Sequence, residues 1–167
     1  MTVETLRRIA AIHGLLAWSA AALLLIAAAL LARRRPPSTK TTNANTIVIS
    51  ALATALLAIS GGLGILLHAP YLSRLRQRIF LSDPALGWLF ERKTHLAFGA
   101  LGLAFCGLAS LLALAFVGRR LALRTDVGPT SSLPIALWRA AFAAYATSAA
   151  FSVAACILSS LVGRFSF

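Results

Sequence analysis

The sequence predicts an all-α protein in which four helices cross a membrane in up-down-up-down order. Of its 167 residues, 59% are hydrophobic and only 12% are charged, whereas soluble domains usually carry about 25% charged residues. The mean hydropathy of +0.85 means that the chain has more apolar surface than a water-soluble domain of this size can bury. Four separate apolar runs are long enough to cross a hydrocarbon core of roughly 30 Å. A water-soluble enzyme and a disordered chain are therefore both disfavoured.

The positions of proline and of the acidic residues delimit the spans, which are predicted at about 9–32, 46–69, 94–118 and 135–162. All six prolines lie outside these runs, as expected because proline disrupts a helix interior. The four acids also lie outside, where they avoid the roughly 2.5–3.5 kcal/mol that a charge costs at the centre of a membrane. The chain is therefore expected to form one integral membrane domain covering residues 1–167.

The net charge of +12 divides between the two membrane surfaces. We call side one the side that carries the N-terminus, the 70–93 loop and the C-terminus, and side two the opposite one. Each side has eight of the sixteen basic residues, so the charge predicts contact with lipid headgroups and no nucleic-acid surface. The basic residues after the first span outnumber those before it, which favours both termini outside. Arginine far outnumbers lysine, which is typical of a GC-rich bacterial genome, and the expected location is a bacterial inner membrane.

The 70–93 loop is predicted to form an amphipathic helix in the headgroup region, because apolar residues alternate with arginines at helical spacing. These residues are Leu72, Leu75, Ile79 and Phe80, with Arg74, Arg76 and Arg78. Ser82-Asp83-Pro84 predicts a turn and helix N-cap, followed by a short second helical turn. The loop is expected to serve as an interfacial connector, with docking of a partner subunit as the alternative.

The sequence contains no recognisable enzyme motif, and three histidines remain as the candidates for chemistry. His13, His68 and His95 all fall near side one. With every carboxylate outside the spans, a proton relay through Asp or Glu inside the membrane is not available.

Small residues lie on the same helix faces as the histidines. The stripe on the third span follows helical offsets from His95 and consists of Gly99, Gly102, Cys106 and Ser110, and on the second span Gly61 and Gly64 accompany His68. A flat macrocycle between helices needs such room, with imidazole nitrogens as axial ligands. Basic residues at side one are available to pair with its propionates; these are Arg7, Arg8, Arg92 and Lys93. The pattern predicts a b-type haem site.

Two other interpretations of these residues stay open. Small residues on one face are also the ordinary means by which membrane helices pack closely, and a histidine near a helix end is commonly an interfacial residue with a hydrated tip. A site for a different metal is the remaining alternative.

The segment from His13 to Trp18, ending at Ala32-Arg33, resembles the opening helix of the di-haem transmembrane cytochromes b of the ascorbate and ferric-reductase type. The resemblance implies four core helices, with one haem held by the first and third helices and a second haem by the second and fourth. By position it implies that His13 and His95 bind the haem iron. Apart from the resemblance, a pair of His68 and His95, from helices adjacent in sequence, is the alternative. Because the fourth span, 135–162, contains no histidine, the second haem is not expected.

The predicted function is a membrane-embedded b-type haem subunit that exchanges electrons with quinol or with a partner redox protein docked on the 70–93 loop. Such a chain is expected to be an electron-transfer subunit more than a stand-alone enzyme. The alternative is a haem-free accessory or assembly subunit of a larger membrane complex. A small transporter is disfavoured because the spans lack buried charge and interrupted helices.

Overall fold

The computed structural model describes residues 2–33, 44–122 and 132–162, and within these ranges it is helical. The helices are α1 (Val3–Ala32), α2 (Ala44–Arg74), α3 (Arg76–Ser82), α4 (Pro84–Ala122) and α5 (Leu133–Val162). All except α3 are long and apolar enough to cross a membrane. The predicted all-α class with four spans is therefore confirmed.

The four long helices form a ring. Helix α1 packs against α2 and α5, and α4 packs against the same two helices from the other side. Helix α1 is therefore diagonal to α4, and α2 is diagonal to α5. Since each span reverses the direction of the one before it, α2 and α5 run in parallel from side two to side one.

Small and hydroxyl-bearing residues fill the interior of the ring, and large apolar side chains cover its outside. The main core contains Ala20, Ala27, Ala53, Ala100, Ala104, Ala141 and Ala149 together with Leu24, Leu31, Leu57, Leu111 and Tyr145. Exposed large apolar side chains include Leu15, Ile65, Phe105 and Phe116. Small interior residues let helix backbones approach closely, and the apolar exterior suits a hydrocarbon solvent.

The segment between the second and third spans is a folded end of the bundle at side one. Helix α2 continues through Pro70 to Arg74, beyond the predicted boundary at residue 69. A second core joins α2, α3 and α4 to the end of α5 through Tyr71, Leu75, Ile79, Leu86 and Val162.

Asp83 caps α4 as predicted, because its Oδ1 accepts a hydrogen bond of 3.0 Å from the Leu86 amide. The second turn, however, is not separate from the third span. Both belong to α4, a single helix of 39 residues, since no proline follows Pro84 until Pro129. Arg76 Nε donates to Glu91 Oε1 at 2.6 Å and ties α3 to α4. The Glu91 carboxylate raises the pKa of this guanidinium.

Gly107 on α4 is required by the close approach of α5, and its replacement provides a test of the packing. A methyl group at Gly107 would lie 2.8 Å from the buried Tyr145 ring, whereas one at Gly102 would meet nothing within 4 Å. We expect Gly107→Ala to destabilise the bundle by about 1–3 kcal/mol, the usual cost of overpacking. Gly102→Ala is the control and should leave the thermal midpoint in detergent unchanged or raise it. Equal midpoints for the two variants would contradict this packing of α4 on α5.

Candidate functional site

Of the three histidines, His13 is the one that hydrogen bonds within the described residues hold in a defined orientation. Its imidazole Nδ1 lies 2.9 Å from the carbonyl oxygen of Ser60 on α2 and 3.1 Å from the Ser60 hydroxyl. The same hydroxyl donates to the His13 carbonyl at 3.3 Å. Because a carbonyl oxygen only accepts hydrogen bonds, this contact requires that Nδ1 carry the proton.

The Nε2 atom of His13 is left uncommitted. Among the residues that the structure describes, none forms a hydrogen bond with it. The half-buried ring lies against Gly64, where a methyl group would come within 3.3 Å of Cε1 and 3.9 Å of Nε2. Gly64 thus gives the imidazole room at the surface of α2.

The other two histidines lie outside the bundle core. His68 is exposed, with its ring centroid 6.4 Å from that of Tyr71. It lies one helical turn beyond Gly64 on α2, towards side one. His95 is also exposed, and its helix α4 is diagonal to α1. The structure therefore places neither imidazole in a contact with His13.

The small residues below His95 do not line a common interior space. Gly99 faces α5, where a methyl group would meet the Phe151 ring at 3.2 Å, and Gly102 borders open space. Cys106 is exposed, and the Ser110 hydroxyl donates to the Cys106 carbonyl at 2.8 Å. Part of the predicted stripe thus lies on the outer surface of α4.

The basic residues predicted to face propionates have different surroundings. Arg8 pairs with Glu4 at 2.9 Å on the exposed surface of α1, and Arg7 and Arg92 are exposed. Lys93 points inward instead. Its Nζ donates to the Ser159 hydroxyl at 3.0 Å and lies 4.2 Å from the centroid of the Phe90 ring.

A second polar feature runs through the bundle between the diagonal helices α2 and α5. Its α2 part consists of Thr46, Ser50 and Thr54, and its α5 part of Tyr145, Ser148 and Ser152, all buried. The two parts meet where the Thr54 and Tyr145 hydroxyl oxygens lie 3.4 Å apart. We call these six residues the hydroxyl seam.

Sequence reasoning missed Ser60 and most of the hydroxyl seam. The available signal was spacing: Thr46, Ser50 and Thr54 follow one another every four residues, which puts them on one helix face. Every residue has a backbone carbonyl, so the sequence does not mark that of Ser60 as a hydrogen-bond partner. The contact with His13 follows only from how α1 and α2 are aligned along the membrane normal.

None of the protein-family models, curated proteins or solved structures compared with this chain matches it. The cytochrome b resemblance at His13 therefore remains an expectation from sequence. The chemistry of the site has to be inferred from its own residues.

The orientation of His13 predicts its tautomer. We expect ¹⁵N NMR of the protein in lipid to show the His13 proton on Nδ1, because the Ser60 carbonyl accepts it. A Ser60→Ala variant keeps the carbonyl and should keep this tautomer. An unprotonated Nδ1 in the wild-type protein would contradict the geometry.

Proposed function

We propose that the protein is a membrane-embedded electron-transfer subunit that holds a b-type haem at its side-one end, with His13 as an axial ligand. The observation that carries the proposal is the hydrogen bond from His13 Nδ1 to the Ser60 carbonyl. Histidines that bind metals commonly donate the other ring N–H to a carbonyl or carboxylate, which fixes the tautomer and orients the ring. His13 has this arrangement, with Nε2 left for the iron.

Of the three histidines, His13 is the one whose surroundings would suit it to hold the haem iron. His13 is oriented by Ser60 and has room beside Gly64. His95 is exposed on a diagonal helix, and His68 is exposed one turn beyond Gly64. These two histidines are the candidates to hold the haem together with His13, and either side chain would have to rearrange to do so.

Lys93 supplies the positive charge that a haem propionate would meet at this end. Its ammonium group faces Ser159 and the Phe90 ring, and no carboxylate in the described ranges forms an ion pair with it. A partly buried cation without an acidic partner is stabilised by an incoming anion. Lys93 therefore suits the propionate role better than Arg8, which already pairs with Glu4.

A bound b-type haem supplies one-electron redox chemistry. The remaining task of the chain is to orient His13 and to offer a docking surface for the donor or acceptor. The side-one end, with its exposed Arg74 and Arg78 and its exposed Leu72 and Trp88, is where quinol or a partner redox protein is proposed to approach. A bacterial inner membrane is the proposed location.

The absorption spectrum of the protein, purified in detergent from haem-replete cells, tests this proposal. We expect a b-type spectrum that changes on reduction with dithionite. His13→Ala should abolish it, whereas Ser60→Ala should retain it, because the backbone carbonyl that orients His13 remains. Gly64→Ala should perturb it, since the added methyl group crowds the imidazole.

The His68→Ala and His95→Ala variants identify the second ligand, because loss of a second axial ligand converts a six-coordinate spectrum to a five-coordinate one. A colourless wild-type preparation contradicts the proposal. So does a spectrum that His13→Ala leaves intact in a folded protein.

The alternative function is that of a haem-free accessory subunit in a larger membrane complex. The outer surface of α4 favours it, because Gly102 borders open space and Cys106 is exposed there. Small residues on an outward face let a transmembrane helix of another subunit approach closely.

Cross-linking at Cys106 in native membranes separates the two functions. The accessory function predicts a defined adduct with another membrane subunit, lost in Cys106→Ser, together with a colourless purified protein. If Cys106 yields no adduct and the protein binds haem, the accessory function is contradicted.

A further inference from the structure

The hydroxyl seam, continued along α5 to Ser159, extends through most of the membrane-spanning height of the bundle. From Thr46 to Thr54 the α2 part rises about 12 Å, and from Tyr145 to Ser159 the α5 face rises about 21 Å, at 1.5 Å per residue. The two parts run in the same direction and meet at the contact between Thr54 and Tyr145. Their summed rise is comparable with the hydrocarbon thickness of roughly 30 Å.

Several hydroxyls of the seam satisfy one another or the backbone. Thr54 donates to the Ser50 carbonyl at 2.8 Å, and Ser148 donates to the Ala100 carbonyl of α4 at 2.8 Å. Hydroxyls in membrane helices commonly form such bonds. Thr54 and Ser148 therefore have hydrogen-bond partners within the protein.

Ser152 departs from this pattern. It is 3% exposed, and its hydroxyl has no hydrogen-bond partner among the described residues. On the same helix Ser159 and Ser160 donate to carbonyls four residues earlier, at 2.8 and 3.0 Å. The Ser152 hydroxyl does not form this bond to the carbonyl four residues earlier, although a serine in a helix can readily form it.

Thr46 repeats this feature at the other end of the seam. It is 1% exposed, and its hydroxyl also lacks a partner in the described part of the chain. A buried hydroxyl without a hydrogen bond costs about 1–3 kcal/mol. Native proteins commonly avoid this cost with a buried water molecule.

From Ser152 the α5 face continues to side one through groups that hold or exchange protons. Cys156 lies one turn further along and is buried. Ser159 lies at the end of this face and accepts the hydrogen bond from Lys93 Nζ. The polar groups therefore reach Lys93, which lies at the side-one end of the bundle.

We propose that the side-one end of the hydroxyl seam holds water molecules that hydrogen-bond to Ser152 and link it to Lys93, which lets the buried groups of this part of α5 exchange protons with side one. In each exchange a hydroxyl, thiol or water takes one proton from its neighbour and gives one up, so no group changes its net charge. The proposal does not rest on a bound haem.

The two native cysteines provide the experiment. Infrared spectroscopy of the protein in liposomes follows the S–H stretch as it converts to S–D in D₂O, with Cys106→Ala and Cys156→Ala used to assign the two bands. Cys156 lies between Ser152 and Ser159, where the water molecules are proposed, and is buried. Cys106 lies on the exposed outer surface of α4. We expect Cys156 to exchange several-fold faster than Cys106, although Cys156 is the buried one.

Ser152→Ala should slow the exchange of Cys156 several-fold, because it removes a hydrogen-bonding group that holds the water. Ser160→Ala is the matched control on the same helix and should leave the rate unchanged. A dry reference comes from Ala141→Cys in a background without the native cysteines, since Ala141 belongs to the apolar core and lies beyond Tyr145 from Ser152 and Lys93.

If the Cys156 thiol exchanges as slowly as the thiol at position 141, the side-one end of the seam is dry and the proposal is overturned. This comparison of thiol exchange rates needs no variant of Ser152, so it tests for water beside Cys156 even if Ser152→Ala fails to fold. The measurement is made on haem-free protein, and its outcome is therefore separate from that of the proposed function.

Discussion

In the hydrocarbon core of a bilayer no water is available to the backbone or to side-chain hydroxyls, so each polar group needs a partner inside the protein. This constraint accounts for the arrangement of the bundle. Hydroxyls and small residues face inward, where Ser148 bonds to the backbone of α4 and Thr54 meets Tyr145. Large apolar side chains face the lipid, where no polar partner is needed.

The same constraint explains the different surroundings of the three histidines. His13 lies within the span and is satisfied by Ser60 of the neighbouring helix. His68 and His95 are exposed at the side-one end, which the headgroup region tolerates because polar tips are hydrated there. Within the described residues, the side-one end thus combines an imidazole whose Nε2 has no hydrogen bond with a lysine that forms no ion pair.

The positions of the membrane-spanning helices could be predicted from the sequence. Which face of each helix points into the bundle could not. Proline and acid positions predicted the spans, and Asp83 was correctly recognised as a cap because its side chain acts locally. The outward position of Gly102 was not predictable, because α4 is apolar around its whole circumference and no polar face shows which side points inward. The bond between His13 and Ser60 depends on the rotation and height of two helices, which no local pattern encodes.

The most direct test of this inward-polar arrangement is the accessibility of nitroxide labels to dissolved oxygen, scanned along α5 in a lipid bilayer. Oxygen concentrates in hydrocarbon, so lipid-facing positions relax faster than buried ones. The arrangement predicts low accessibility at positions 148 and 152 and high accessibility at Ile157 and Leu161, which are exposed. High accessibility at 148 and 152, with low values at 157 and 161, would contradict it.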